Sequence, residues 1–264
     1  KFVGLGYLRN FPISVPPLAE QQRIVAKLDA AFAEIDRAIE LAEKREDEVE
    51  KIKVSLLSQM LNSGDCKPIS LSEIFKVGSS KRVLKADWRE EGVPFYRGRE
   101  ITTLSENDFV NNKLFITPEH YKSLSEKYSV PKAGDIMITA IGTIGNTYIV
   151  KEGDRFYFKD ASVLWLAKRK DVSSEYIQYW LKTNEFFSQL DKGNGATVDT
   201  LTIKKLSSIM LPLPAISEQQ SIVAKLDEVF SQTENIKNTI AKSIQGYAVL
   251  KSALLAQELQ SEAA

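Results

Sequence analysis

The chain has 264 residues, 43% of them hydrophobic and 27% charged, with 35 lysines and arginines balancing 35 aspartates and glutamates. Low hydrophobicity and high net charge do not coincide, so disorder is excluded as the dominant state, and the length allows one large domain or two smaller ones with real cores. No run approaches the roughly 18 apolar residues of a membrane span, no secretory signal follows Lys1-Phe2-Val3-Gly4, and the single Cys66 excludes a disulfide framework or a multi-cysteine zinc site.

In chain order, the first strong element follows Pro16-Pro17, which cannot continue a ladder but suit a helix entrance. Ile24, Leu28, Ala31, Ile35, Ala38 and Ala42 fall at three- and four-residue steps, and Val49, Ile52, Leu56 and Leu57 resume the stripe, which predicts a long helix. Ser63-Gly64-Asp65 supplies the turn chemistry that ends it. The middle of the chain differs in character, with strand candidates at 69–71, 93–97, 135–140, 146–150 and 162–167 and helix candidates at 70–75, 118–124, 174–190 and 200–206. Ala133-Gly134-Asp135 and Lys151-Glu152-Gly153-Asp154 read as hairpin-style turns. Strands and helices mixed without a regular βαβ rhythm predict a mixed α/β (α+β) domain. A second long helix follows Pro212 and Pro214, carrying Ile222, Leu226, Val229, Phe230, Ile236, Ile240, Ile244, Tyr247, Leu250 and Leu254 on its stripe. Ser217 with Gln220 reads as its capping box.

The two long helices are copies. Residues 20–29 read EQQRIVAKLD and residues 218–227 read EQQSIVAKLD, and the match continues at Phe32 and Phe230 and at Lys53, Leu56, Leu57, Gln59 and Leu61 against Lys251, Leu254, Leu255, Gln257 and Leu259. At 1.5 Å per residue, about 40 residues extend roughly 60 Å, and a stripe that long needs a partner of matching length. The simplest partner is the other copy, packed antiparallel as a two-helix coiled coil. Amphipathic stripes are ordinarily just core, and Lys44-Arg45-Glu46-Asp47-Glu48 an ordinary solvated face; the duplication adds something, two identical docking faces or a rotational pseudo-symmetry.

Several residues of the middle segment suit a ligand. Between 76 and 99, Lys76, Lys81, Arg82, Lys85, Arg89, Arg97 and Arg99 outweigh Asp87, Glu90 and Glu91, and a nucleic-acid surface needs only a local basic patch of this kind. Tyr96, Arg97 and Arg99 combine an aromatic with guanidinium groups, a mix that suits base edges and backbone, or else surface salt bridges. The glycines of Gly142-Thr143-Ile144-Gly145-Asn146 would let backbone approach a phosphate closely, a tight turn being the plain alternative. Lys192-Gly193-Asn194-Gly195-Ala196-Thr197 is a second glycine-rich loop with donors. On chemistry alone the DNA-contact candidates are Lys81, Arg82, Arg97, Arg99, Thr143, Asn146, Lys192, Asn194 and Thr197.

Catalytic material is sparse. There is no GxxxxGK[ST] loop and no GxGxxG after a strand. His120 is the single histidine, so triads and multi-histidine metal sites lack ligands, and Asp135 has no acid-x-Lys strand beside it. Neither Asn-Pro-Pro-aromatic nor Asp-Pro-Pro-aromatic occurs, which counts against a DNA methyltransferase; a coiled-coil scaffold that binds protein stays open as the alternative to a DNA reader.

The duplicated Glu-Gln-Gln-x-Ile-Val-Ala-Lys-Leu-Asp helix entrance and the stretch Ala-Gly-Asp-Ile-Met-Ile-Thr at 133–139 with the glycine turn after it resemble the specificity (S) subunit of type I restriction-modification systems. The resemblance implies a central conserved helix at 16–63, a target recognition domain at 64–213 reading one half of a split DNA site, and a distal conserved helix at 214–264. Residues 1–15 would be the tail of a preceding recognition domain, since 2–15 match 200–213, which suggests a C-terminal half or a naturally split subunit; the start without methionine fits a fragment or a processed chain. It implies docking of two modification (methyltransferase) subunits on the repeated face, with Glu20, Gln21, Gln22, Lys27, Glu218, Gln219, Gln220 and Lys225 as contacts. It further implies a restriction and motor subunit in the complex; a half subunit could also self-associate, and the composition bounds point to a cytoplasmic setting. No cofactor is expected on this chain; S-adenosylmethionine, ATP and Mg would belong to partner subunits.

Overall fold

The computed structural model describes Arg9 and residues 15–62, 66–190 and 200–260. The predicted turn Ser63-Gly64-Asp65, nearly all of the segment 1–15, and Lys192, Asn194 and Thr197 lie outside them. The chain divides into two compact units, one of residues 1–53 with 230–264 and one of residues 54–229. No helix among the described residues is long and apolar enough to cross a membrane.

The first unit is a helix pair. Helix α1 (Leu18–Asn62) and helix α8 (Ile216–Gln260) are 45 residues each, and residues 18–53 of one face residues 230–260 of the other. Lys27 Nζ lies 2.6 Å from Glu258, Asp36 2.7 Å from Lys251 and Glu50 3.3 Å from Lys237, so partners rise along α1 as they fall along α8. The helices are antiparallel, as the matched stripes predict. The exposed Asp36–Lys251 pair contributes about 0–1 kcal/mol, and Glu258 of the first pair is buried; the seam is held by Ile24, Leu28 and Ile35, all buried.

Two cation–π contacts expose the symmetry of the pair. Lys53 Nζ stands 4.7 Å from the Phe230 ring centre, and Lys251 Nζ stands 5.0 Å from that of Phe32. Each residue of one contact is 198 positions from its counterpart in the other, so the sequence repeat is also a spatial pseudo-two-fold within this unit. One expectation fails here. Ile52 is 56% exposed, Ile236 47% and Leu250 46%, although all three belong to the predicted stripes. Two helices have one seam between them, and apolar positions off that seam stay in water.

The second unit carries the sheets. β1 (Pro68–Ser70) pairs antiparallel with β9 (Met210–Pro212). A four-stranded antiparallel sheet runs β2 (Phe75–Gly78), β8 (Val163–Lys168), β5 (Ile136–Thr139), β6 (Thr147–Ile149). A third sheet orders β4 (Phe115–Ile116), β3 (Val93–Tyr96) and β7 (Tyr157–Phe158), with β3 and β7 parallel. Strand β5 is buried along its whole length because both its neighbours and both its faces are covered, which suits an unbroken apolar run. One core joins Ile101, Leu104, Met137, Phe158 and Trp165, and another joins Val93, Phe95, Ile116, Leu124 and Tyr157. Asp135, the acid weighed for a nuclease cluster, is buried and accepts from Trp165 Nε1 and from the backbone of Lys132 and Lys168 at 2.8–2.9 Å. It ties the sheet together.

Three local readings are corrected. The predicted helix 174–190 is two helices, α5 (Ser174–Trp180) and α6 (Asn184–Leu190). Thr183 separates them: its hydroxyl donates to Trp180 O at 2.7 Å and accepts from Phe186 N at 3.3 Å, stopping one helix and capping the next. Helix α3 (Gly98–Asn107) is not among the predicted helices, since Ile101-Thr102-Thr103 favours strands. The Ser217–Gln220 capping box is absent, because α8 already starts at Ile216, with Glu218 N and Gln219 N donating to Ala215 O. The short α2 (Leu71–Ile74), α4 (Pro118–Lys127) and α7 (Ile203–Ser207) complete the unit.

Candidate nucleic-acid interface

Strand β3 delivers the chain to Arg97, and α3 begins at the next residue. The backbone at Gly98 passes close to its neighbours: a Cβ there would stand 3.6 Å from Ser162 O and 3.9 Å from Ile141 O. The start of α3 therefore sits against the β5–β6 turn and the loop before β8. That turn is tight, with Gly142 at φ 77° and Gly145 at φ 97°, a conformation that favours glycine. Thr139 Oγ1 accepts from Asn146 N at 3.0 Å, and Gly145 N donates to Thr139 O at 3.1 Å. Asn146 Nδ2 donates to Thr102 Oγ1 at 3.0 Å, binding the turn to α3. On the other side of the turn, Ile141 bridges to Thr200 and Leu201 N donates to Ala140 O at 2.8 Å.

Three segments singled out in the sequence thus meet at one edge: the arginines of α3, the glycine turn, and the residues that follow the second glycine-rich loop. Within it, Thr143 is exposed, while Asn146 is half-buried and its Nδ2 ties the turn to Thr102. Lys81 and Arg82 are exposed on the stretch after β2. They are linked to the same edge through Ser80, whose hydroxyl donates to Phe158 O at 2.7 Å, next to Lys159, whose N–H donates to Tyr96 O at 2.8 Å.

Sequence reasoning missed the residue at the centre of this edge. Glu100 is 2% exposed. It accepts from Arg97 through the backbone N–H, Nε and Nη2 at 2.8–3.1 Å, and from Arg99 through Nε and Nη2 at 3.0–3.3 Å. The order Arg-Gly-Arg-Glu was the available signal, once a helix is known to start there. Burial pushes the Glu100 carboxyl upward, but the bonds from Arg97 and then Arg99 outweigh it and hold the group below its ordinary value of 4.5. The unfolded chain therefore takes up the proton first, and the stability this carboxylate contributes is complete above pH 4.5 and lost as pH falls through the folded value. Glu100→Gln should lower the urea midpoint at neutral pH and flatten its fall in mild acid; an unchanged acid limb would assign that loss to other carboxylates.

The two guanidinium groups differ in what they leave free. The Arg97 side chain is 30% exposed and bonded to Glu100 by two of its nitrogens, whereas that of Arg99 is 70% exposed. Glu100 fixes the direction of Arg99 while its outer edge faces solvent.

The repeated helix entrance also resolves into parts. Gln21 Nε2 donates to Pro16 O at 2.7 Å, and Gln219 Nε2 donates to Pro214 O at 2.8 Å, the same bond 198 residues apart. Gln219 is 2% exposed and also accepts from Ser173 N at 2.9 Å. The family resemblance implies a partner contact for it; the structure makes it an internal clasp at the helix start, and Gln21 repeats that bond half-buried. Glu20 pairs with Arg23, and Lys27 with Glu258, while Gln22, Glu218, Gln220 and Lys225 are exposed. Gln219→Ala leaves a buried N–H without its acceptor, so the unfolding free energy should drop by about 1–3 kcal/mol, whereas Gln220→Ala should change it little. Equal, small effects from both in denaturant titration would remove the clasp.

Among the described residues no cluster of histidine, cysteine and acidic side chains could hold a metal ion. His120 lies in the first turn of α4, its N–H donating to Thr117 Oγ1 at 3.1 Å, and Cys66 is a half-buried free thiol.

A family model described as type I restriction modification DNA specificity domain matches residues 3–51 and 64–245. A Haemophilus influenzae protein named as a type I restriction enzyme specificity subunit is 30% identical over 251 residues, covering 90% of this chain and 60% of its own length. The EcoBI specificity subunit of Escherichia coli is 22% identical over 97% of this chain and 59% of its own. In fold, the chain is similar to one in a structure addressing complex assembly of the type I R-M system, with a TM-score of 0.73 over 94% of this chain, 60% of that chain and 22% identity. The HsdS subunit of Thermoanaerobacter tengcongensis superposes with a TM-score of 0.59 at 22% identity, again over 94% of this chain and 60% of that one. The chain spans about 60% of the length of these relatives.

Proposed function

Since the chain belongs to the type I restriction modification DNA specificity family, we propose that it is a non-catalytic reader of duplex DNA that selects one half of a bipartite site for a modification complex. The observation that carries this reading is the meeting of α3 with the β5–β6 turn, which sets Arg97, Arg99 and Thr143 on one edge of a rigid domain. An edge of this kind separates the two tasks of DNA recognition. Lysines and arginines at its margin, among them Lys81 and Arg82, hold phosphates and set the register, and an oriented, exposed guanidinium such as that of Arg99 reads a base edge. Lys192, Asn194 and Thr197 belong to the same proposal through the neighbouring Thr200.

The conserved helices dock the modification subunits. Exposed Gln22, Lys27, Glu218, Gln220 and Lys225 offer polar contacts at the two entrances, and Leu41, Ile52, Ile236 and Leu250 leave apolar surface on the helix pair for a partner to cover. Adenine methylation with S-adenosylmethionine, and ATP-driven cleavage with Mg by a restriction subunit, reside on those partners, in the cytoplasm.

Co-expression with a type I modification subunit in a methylation-free host, followed by genome-wide mapping of methylated adenines, tests the proposal. A gapped motif that appears only with this chain is the expected result. A palindromic motif means that two copies read it, and an asymmetric one that a different recognition domain reads the other half. An intact complex with no new methylation and no salt-dependent DNA affinity replaces the reader by a docking scaffold.

A further inference from the structure

The recognition domain holds a basic cleft at the margin of the α3 edge, and Lys81 belongs to both. Where β2 ends and α4 ends, a cleft of about 310 Å³ is lined by Lys76, Ser79, Ser80, Lys81, Lys127 and Tyr128. The three lysines come from two elements distant in sequence. Lys76 lies in β2 and Lys81 five residues on, while Lys127 closes the last turn of α4. Among the described residues none of the three forms an ion pair with a carboxylate, although Lys122, one turn earlier on α4, does so with Glu126.

The cleft is braced from inside. The Ser79 hydroxyl donates to Val163 O at 3.1 Å, that of Ser80 to Phe158 O at 2.7 Å, and Lys81 N to Tyr157 Oη at 3.0 Å. The floor is thus pinned to β7 and β8, the strands that form the core of the unit. Lys81 Nζ stands 5.2 Å from the ring centre of Tyr128, which is 43% exposed, so an aromatic face lines the cleft beside the charge. Three lysines lining one braced, serine-lined hollow gather positive charge there, and among the described residues no carboxylate forms an ion pair with them.

We propose that this cleft is a phosphate clamp: it seats the sugar–phosphate backbone of the DNA through Lys76, Lys81 and Lys127, while the α3 edge reads bases. This rests on the DNA-reading function above and deepens it, since Lys81 at the margin of the edge is joined by Lys76 and Lys127 in one built phosphate site. Lysine suits a clamp of this kind, because it meets phosphate as a mobile point charge without the planar fork that reads guanine. The clamp sets affinity and register and carries no sequence information.

The test compares the full chain with the triple variant K76Q/K81Q/K127Q, titrated against a mixed-sequence duplex across a salt series. A control triple, K67Q/K113Q/K122Q, removes the same charge from exposed lysines elsewhere. Each phosphate that the protein no longer neutralises flattens the slope of log K against log salt by about 0.9. The cleft variant should therefore lose roughly two to three from its slope, and on the order of 10- to 100-fold in affinity at low salt. Its thermal midpoint and its relative preference among sequences should stay as in the parent, and the control triple should keep the parental slope. Parental DNA binding that is steeply salt-dependent, with the same slope in the cleft variant, overturns the clamp and leaves the reader intact. Equal flattening in both triples assigns the effect to net charge and also overturns it. A parent chain without salt-dependent binding overturns the reader itself, and the clamp falls with it.

Discussion

Arg99→Ala should lower the preference of the complex for its target over an unrelated duplex by roughly 5- to 150-fold, the equivalent of about 1–3 kcal/mol for one bidentate pairing with a base. The expectation rests on Arg99 rather than Arg97. Both bond Glu100, but Arg97 is the more covered of the two and commits its backbone N–H as well as its side chain to that carboxylate. Removing Arg97 should cost folding stability through the carboxylate it leaves half-satisfied. Removing Arg99 takes two bonds from the same buried carboxylate but leaves the three from Arg97, so a lost preference at an unchanged urea midpoint belongs to recognition. Titrations on cognate and unrelated duplexes at one salt concentration separate the cases. A weakening of equal size on both duplexes would make Arg99 a phosphate ligand and move base reading to another residue of the edge.

The second large effect lies at Gly92, directly before β3. Its φ is 125°, and a Cβ there would stand 2.4 Å from Ile116 O and 3.3 Å from Ile116 C, backbone atoms of the paired strand β4. An alanine would meet both a conformation that L residues avoid, at about 1–3 kcal/mol, and overpacking against a backbone that cannot rotate away, at about another 1–3 kcal/mol. Together these amount to roughly 2–6 kcal/mol, a large part of the about 5–15 kcal/mol that holds an ordinary domain folded. Because β3 leads straight into Arg97 and α3, the same change should loosen the α3 edge before the domain unfolds. Gly78→Ala is the control: nothing lies within 4 Å of a Cβ at that position, and it should be neutral within about 1 kcal/mol. Urea denaturation of both variants decides it, and a Gly92→Ala midpoint equal to that of Gly78→Ala would refute the strain.

Part of the candidate site was legible in advance because its chemistry is local. Arg97, Arg99 and the glycine turn stand out by residue type alone, and the turn geometry at Gly142 and Gly145 follows from what only glycine does easily. Asn146 has a structural bond that spacing cannot reveal. Its partner Thr102 is 44 residues away, and nothing near Asn146 in the chain announces that bond. The bonds of Gln219 divide in the same way, since its clasp on Pro214 is local but its bond to Ser173 depends on how the domain closes.

By itself the sequence determined the two long helices, their antiparallel pairing and their family, because a 3.6-residue stripe and a repeat at a fixed offset are properties of neighbours along the chain and survive any packing. The pairing of Lys53 with Phe230 and of Lys251 with Phe32 adds that this repeat is a pseudo-two-fold in space. Only the tertiary structure decided which stripe positions the seam covers, which repeated glutamine is a clasp, that two arginines share one buried carboxylate, and that Lys76 and Lys81 meet Lys127 in one cleft. Each of those facts depends on residues brought together by strand order and helix docking, and none is written in the spacing of any single segment.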